Sequence, residues 1–246
     1  MIEAVTFDWW FTIVNLPMPF SEYAPWARKV RIDGLQEVLT ASGWKVETDR
    51  LSEAYDLFAR QVEDAWSKNI DLSGEEQVAL FLQFAKLKKI SDRDLLRKLQ
   101  EPFGRVLYER PPILNDGIKD CLKQVKEDGY RVALISNTGR SWGRYLRDVQ
   151  KKFGIFDFFD VLTFSDEIGI RKPHPAIFTN TLKKLKVSPE LSVHIGDDVD
   201  TDITGAKSVG MKAIWYNAGI WPDTKCDNAD GEINHFKDLP EKIKRL

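Results

Sequence analysis

The sequence is poor in the residues that hold together small secreted proteins and thiolate metal centres. It contains two cysteines, Cys121 and Cys226, and three histidines in 246 residues, and their spacing fits neither a disulfide framework nor a zinc site. It also lacks a run of 18 apolar residues and a charged, then apolar, N-terminal segment. These absences argue against secretion and membrane insertion, so we expect a cytoplasmic protein.

A strong charge of one sign is also missing. The formal net charge is -2, and charged residues make up 30% of the chain. A nucleic-acid-binding protein would be expected to carry a basic surface, so nucleic acid is not favoured as a partner. The sequence does not predict the oligomeric state.

Apolar residues divide the chain into two kinds of segment. Residues 2 to 8 form a buried-strand pattern that ends at Asp8, and the next such pattern, 130 to 136, follows only after about 120 residues. Between them the apolar residues recur at helical spacing, and prolines 17, 19, 111 and 112 border the segment. We predict an all-helical module over 17–112, inserted into a main domain formed by 1–16 and 113–246.

Helix and strand patterns alternate after Asn115. Helices are predicted at 116–128, 141–152, 175–186 and 201–209, and strands at 130–136, 160–164, 192–196 and 212–216. Residues 217 to 235 are expected to be irregular because they are rich in Gly, Asp and Asn. The alternation predicts an α/β fold: a Rossmann-like parallel sheet with helices on both faces.

Polar residues follow the predicted strands at the edge where such folds bind ligands. They are Asp8, Ser136, Asn137, Lys172, Asp197, Asp198 and Asp202. Several carboxylates can share one site only if a cation is present, and an oxygen-rich set favours Mg²⁺. Mg²⁺ and Lys172 would attract a phosphoryl group, and Asp8 could accept it as a nucleophile. A simpler interpretation is that the Asp run at 197–202 caps the helix near Thr201.

Four segments together resemble the motifs of the haloacid dehalogenase superfamily. They are FDWWFT at 7–12, LISNTG at 134–139, RKPHPAIF at 171–178 and HIGDDVDTDITGAKSVGM at 194–211. The resemblance implies a hydrolase with a helical cap, acting on a small phosphorylated molecule with Mg²⁺. It also implies Asp8 as nucleophile and metal ligand, Ser136 (with Asn137 beside it) as the phosphate-binding segment, Lys172 as a charge-stabilising catalytic residue, and Asp197 and Asp202 as metal ligands.

The first motif departs from the family pattern at Trp10. Most phosphatases of the superfamily carry a second aspartate there, which protonates the leaving group and activates water. An indole cannot exchange a proton near neutral pH, so this general acid–base step is missing. The backbone carbonyl of Trp10 can still serve as the metal ligand that the family places at this position.

Two other functions remain open. The haloacid dehalogenases proper have an aromatic residue at the position of Trp10 and use the nucleophilic aspartate without a metal. They need a cap arginine for the substrate carboxylate, for which Arg28 and Arg31 are candidates, although surface ion pairing is the expected role of both. The third possibility is a binding or regulatory protein that keeps the fold with little catalysis.

Overall fold

The structure is a computed structural model that describes residues 1–220 and 224–246. Within these ranges the strands are β1 Ala4–Phe7, β2 Val14–Asn15, β3 Ile113–Leu114, β4 Arg131–Ser136, β5 Val161–Phe164, β6 Ser192–Gly196, β7 Lys212–Tyr216 and β8 Gly231–Ile233. Six of them form a sheet in the order β5-β4-β1-β6-β7-β8, and every pair in it is parallel. The predicted α/β fold with a parallel sheet is confirmed.

The helices cover both faces of this sheet. In the part of the chain that follows β3 they are α6 Ile118–Glu127, α7 Gly143–Phe153, α8 Ser165–Ile168, α9 Pro175–Leu185, α10 Gly205–Ser208 and α11 Leu239–Lys244. Successive residues of a strand point to opposite faces of the sheet. In β4, Val132 and Leu134 belong to the core that contains residues of α6, α7 and α11. Ala133 and Ile135 belong instead to the core beneath α9 and α10.

Two details differ from the predicted elements. The helix predicted at 201–209 is divided into a π-helical turn, Val199–Thr204, and the short α10. The segment 217–235, predicted to be irregular, contains β8, which extends the sheet beside β7. Residues 221–223 of that segment lie outside the described ranges.

Five helices lie between β2 and β3, as the apolar spacing predicted. They are α1 Phe20–Ala41, α2 Thr48–Ser67, α3 Gly74–Phe84, α4 Arg93–Lys98 and α5 Glu101–Glu109. The apolar face of α2 is buried: Leu51, Phe58 and Val62 have no exposed surface, and full burial of such a side chain contributes about 1.5–3 kcal/mol. The limits 17 and 112 of a separate domain stay a prediction.

Two of the contacts between the helical module and the sheet domain show how the module is attached. At the first, β2 and β3 pair antiparallel, so the chain enters and leaves the module through adjacent strands. At the second, Phe103 of α5 stacks on Trp142 with 4.6 Å between ring centroids. Gly104 lets α5 approach closely there, because a Cβ atom on it would lie 2.4 Å from the ring of Tyr145. The described part of the chain has no helix that is both long and apolar enough to cross a membrane.

Candidate functional site

Parallel pairing brings three of the predicted polar residues to one edge of the sheet. Strand β1 lies between β4 and β6, with Phe7 opposite both Leu134 and Ile195. Asp8 follows Phe7 directly, and its backbone N–H donates to the carbonyl of Ile195 over 2.9 Å. Ser136 ends β4 and Asp197 follows β6, so both must lie beside Asp8 at the carboxyl ends of the strands.

Lys172 lies between two of the carboxylates. Its ammonium donates to Asp8 and to Asp202, with Nζ 2.6 Å from Oδ1 of Asp202. The side chain of Lys172 is 1% exposed. Burial lowers its pKa, but the charges of Asp202 and Asp8 outweigh burial and raise the pKa above its ordinary value. Lys172 is therefore a fixed positive charge within the site.

Asn137 holds the backbone that carries Lys172. Its amide donates to the carbonyl of Lys172 over 3.1 Å, and its side-chain oxygen accepts from the Lys172 backbone N–H over 2.9 Å. This reciprocal pair fixes the segment that enters the site after β5. Asn137 also lines the cavity at Asp8, and its role in substrate binding stays a prediction.

Asp202 is held from three sides. Besides Lys172, it contacts Nε2 of His194 at 3.1 Å and accepts from the backbone N–H of Asp198 over 3.1 Å. Burial raises the pKa of Asp202, but Lys172 and His194 overcome this and bring the pKa to about 2. Asp198 caps the π-helical turn that carries Asp202, and its carboxylate accepts the N–H groups of Asp200 and Thr201. The capping interpretation is therefore correct for Asp198, whereas Asp202 points into the site.

Three carboxylates converge around this lysine. Asp8, Asp197 and Asp202 each offer an oxygen, and the three atoms lie within 4.8 Å of one another. All three residues are buried. Burial raises the pKa of Asp8 well above its ordinary value, and Asp202 and Asp197 raise it further, against the opposing charge of Lys172. One ammonium cannot balance three carboxylates, so the donor set suits a divalent cation with oxygen ligands.

The hydroxyl of Ser136 is a candidate hydrogen-bond donor to a ligand. Ser136 is fully buried, and within residues 1–220 and 224–246 its Oγ has no hydrogen-bond partner. Buried hydroxyl groups in native proteins are normally hydrogen-bonded. An oxygen-rich ligand beside Asp8 would satisfy this donor.

Sequence reasoning missed several residues that support the site. Thr12 donates to Oδ1 of Asp197 over 3.0 Å, and Asn115 donates to the carbonyls of Phe11 and Thr12. Gly196 is required because a Cβ atom there would lie 2.2 Å from Cγ of Asp202. A Gly-Asp pair at a strand end could have indicated this close approach. The sequence offers no comparable signal for Asn115, because the whole helical module separates it from Phe11 and Thr12 along the chain.

Trp10 separates two cavities. The smaller, of 250 Å³, is lined by the strand-end residues, which include Asp8, Lys172 and Asp202. The larger, of 380 Å³, lies between α1, α2 and the loop after β4. Trp10 and Phe11 line both cavities, and Phe11 has a left-handed backbone with φ of 60°. The indole of Trp10 packs edge-on against Trp9, with 6.4 Å between the ring centroids.

The two arginines that were considered for carboxylate binding differ in their surroundings. Arg28 pairs with Asp56 over 2.7 Å, and both side chains are partly exposed, as expected for a surface ion pair. Arg31 is 7% exposed and, within residues 1–220 and 224–246, forms no ion pair. The expectation of surface ion pairing is wrong for Arg31, because α1 places this residue on its buried face, against α2.

Comparison with known proteins places the chain among the hydrolases. A family model described as haloacid dehalogenase-like hydrolase matches residues 2–210. The chain therefore belongs to the haloacid dehalogenase-like hydrolase family, as its four motifs indicated.

A curated relative is the glyceraldehyde 3-phosphate phosphatase of Pyrococcus furiosus, 34% identical over 132 residues, which are 53% of this chain and 53% of the relative. The chain thus spans about half the length of the curated relatives that it matches. Among solved structures, a 2-haloacid dehalogenase from Pseudomonas syringae pv. Tomato DC3000 covers 100% of this chain and 99% of its own, with a TM-score of 0.69 and 24% identity.

A phosphatase of the same family from Thermococcus onnurineus covers 98% of this chain and 97% of its own, with a TM-score of 0.60 and 24% identity. At this level of identity the two solved structures show the shared fold alone.

Proposed function

We propose that the protein is a Mg²⁺-dependent phosphatase that hydrolyses phosphoric monoesters through an aspartyl-phosphate on Asp8. The observation that carries the proposal is the buried set of three carboxylates, two of which pair with Lys172. Such a set has a strong affinity for cations, and a cation together with Lys172 has a strong affinity for a phosphoryl dianion.

The residues at the sheet edge fit Mg²⁺. Asp8, Asp197 and Asp202 would hold the ion, together with the backbone carbonyl of Trp10. When bound, Mg²⁺ supplies positive charge that neutralises the oxygens of the transferring phosphoryl group. The unpartnered Ser136 hydroxyl would donate to one of those oxygens, with Asn137 beside it. Lys172 would stabilise both the Asp8 carboxylate and the phosphoryl group.

The reaction would proceed in two displacements at phosphorus. A carboxylate oxygen of Asp8 forms a bond to phosphorus, while the bond to the leaving oxygen breaks and that oxygen keeps the electron pair. Water then attacks the phosphorus of the aspartyl-phosphate, which releases inorganic phosphate and restores the Asp8 carboxylate. Trp10 cannot donate a proton to the leaving oxygen. We therefore expect aryl and acyl phosphates, whose leaving groups need no proton, to react faster than alkyl phosphates.

The substrate class is a small phosphorylated molecule. Curated relatives include phosphatases named for glyceraldehyde 3-phosphate and for phosphoserine. The two adjoining cavities, of 250 and 380 Å³, offer space for a molecule of this size between the sheet edge and the helical module. The cytoplasm is the proposed location.

Dehalogenation is the second candidate, and Trp10 is the observation that favours it, because dehalogenases of the family have an aromatic residue at this position. The carboxylate set argues against it. Without a cation, Asp197 and Asp202 would repel an anionic haloacid from Asp8.

Hydrolysis of an aryl phosphate, with and without EDTA, tests the proposal. We expect phosphate release by the wild type with Mg²⁺ and its loss with EDTA or in Asp8→Asn. Asp200→Asn is the matched control, because Asp200 belongs to the same acidic run but is exposed. Halide release from chloropropionate without phosphate release would instead support the dehalogenase.

A further inference from the structure

A further contact between the helical module and the sheet domain lies directly beside Lys172. Two backbone hydrogen bonds, of 3.0 and 3.2 Å, join residues 69–71, between α2 and α3, to residues 169–171. Ile70 and Ile170 lie opposite each other in this short antiparallel bridge. Main-chain pairing therefore attaches the module to the segment that ends where Lys172 begins.

The carboxylate of Asp71 anchors this contact. Its side chain has no exposed surface. One oxygen accepts from the indole N–H of Trp66 and from the backbone N–H of Leu72, each over 3.0 Å. The other accepts from Oγ of Ser165 over 2.5 Å and from Nη1 of Arg171 over 3.0 Å. A carboxylate has about four acceptor sites, and these donors occupy them, so the side chain is held in one orientation.

Through two of these donors Asp71 reaches both loops that carry the site. Arg171 directly precedes Lys172 in the chain. Ser165 accepts from the backbone N–H of Thr138 over 2.9 Å, in the loop after β4. One carboxylate of the helical module thus connects the segment that holds Lys172 with the proposed phosphate-binding segment.

The indole that donates to Asp71 contacts the same two loops. Arg140 and Arg171 each place a guanidinium carbon over the ring of Trp66, at 5.0 and 4.6 Å from its centroid. Gly139 allows the approach, because it has φ of 62° and a Cβ atom on it would lie 3.3 Å from this ring. Cation–π contacts of this kind are attractive, so Trp66 strengthens the connection that Asp71 makes.

We infer that Asp71 is a positioning residue of the reaction site, which fixes the Lys172 segment and the loop after β4 by binding Arg171 and Ser165. Asp71 is not one of the described residues that line the two cavities, so it acts through these loops and not on the substrate. This role rests on the proposed function and deepens it. The helical module then sets the geometry of the catalytic charges in addition to covering them.

Hydrolysis of an aryl phosphate by Asp71→Asn tests the inference. Asparagine keeps the shape of aspartate but offers no charge to Arg171, and only one of its two polar atoms accepts hydrogen bonds. Displacement of a catalytic group by about 1 Å can cost about 10²-fold in rate, so we expect kcat to fall about 10- to 100-fold. KM should stay nearly unchanged, because the lost effect belongs to the transition state. Unchanged kcat, or a rise in KM alone, would overturn the inference.

Two controls separate positioning from a loss of stability or of attachment. Tyr108→Phe removes a different hydrogen bond between the module and the sheet domain, which joins Tyr108 to Asp148 over 2.8 Å. Leu51→Ala removes a fully buried side chain from α2 and so destabilises the module. Both variants should keep the kcat of the wild type below their Tm. A loss of kcat in either that equals the loss in Asp71→Asn would overturn the inference.

A double-mutant cycle with Ser165→Ala tests whether the two loops are held by one network. Residues of one network have effects that do not add. We therefore expect Asp71→Asn combined with Ser165→Ala to lose about as much kcat as the more impaired single variant. Losses that multiply independently would overturn the inference.

Hydrogen exchange separates failure of the inference from failure of the proposed function, because it needs no turnover. In Asp71→Asn the backbone N–H groups of Thr138 and Arg171 should exchange about 10- to 100-fold faster by NMR, the effect of one lost charge-assisted hydrogen bond on local opening. In Tyr108→Phe they should exchange as in the wild type. Unchanged exchange in Asp71→Asn overturns the inference whether or not esters are hydrolysed. If the wild type hydrolyses no ester, the proposed function fails, and faster exchange would still support the connection of the loops by Asp71.

Discussion

Replacing Trp10 by aspartate should restore the missing proton relay. Trp10 lies at the boundary between the two cavities and is only partly buried, so a smaller carboxylate fits there without displacing Asp8. General acid–base catalysis typically contributes about 10²- to 10⁴-fold. We expect Trp10→Asp to raise kcat on alkyl phosphates by a factor in this range. Aryl phosphates, whose leaving groups need no proton, should gain far less.

The ratio of alkyl to aryl turnover is the quantity to measure. Trp10→Asn is the matched control, because it has the shape of aspartate and removes the same indole but cannot act as an acid. Both variants lose the edge-on contact with Trp9, which is 6.4 Å between centroids and contributes about 0.5–1.5 kcal/mol, so both should have a slightly lower Tm. If the two variants had the same alkyl-to-aryl ratio, a carboxylate at position 10 would not act as the proton relay.

Three further predictions concern the residues that support the site. Gly196→Ala should lower Mg²⁺ affinity about 10- to 100-fold by calorimetry, because its Cβ would displace Asp202; unchanged affinity would contradict the geometry. Asp71→Ala should lower the free energy of unfolding by about 3 kcal/mol in a urea titration, because it removes the buried carboxylate that pairs with the partly buried Arg171. Burial raises the pKa of Asp166 from 3.8 to about 6. At a pH between these two values, the folded protein therefore keeps a proton on Asp166 that the unfolded chain has lost. Relative to Asp166→Asn, the wild type should therefore lose about 3 kcal/mol of stability between about pH 4 and 7, and a constant difference between the two would contradict the assignment.

The sequence predicted the convergence of Asp8, Ser136 and Asp197 because strand ends in a parallel sheet share one edge. This inference needs only strand positions and parallel order, both of which follow from apolar patterning. The same inference included Asp202, because the acidic run at 197–202 was predicted to begin a helix at that edge of the sheet. The roles of Asp198 and Asp202 could not be separated in this way, because neighbouring carboxylates differ only in the direction that a π-helical turn gives them.

Long-range packing explains what the sequence did not predict. Charged side chains are usually exposed, so Arg31 was expected at the surface beside Arg28. Its burial depends on how α1 meets α2 and the loop after β4, contacts that local pattern does not encode. The short strand β8 was missed for a similar reason, since three residues that begin with glycine form a strand only because β7 offers them an edge.

Detection of the phosphoryl group on Asp8 tests directly whether Asp8 is the nucleophile. The wild type is mixed with an aryl phosphate and Mg²⁺, quenched in acid during turnover, digested and analysed by mass spectrometry. We expect a peptide that carries one phosphoryl group on Asp8, and we expect it to be absent with EDTA or in Asp8→Asn. Steady phosphate release with no phosphoryl group on Asp8, or release that persists in Asp8→Asn, would show that Asp8 is not the nucleophile.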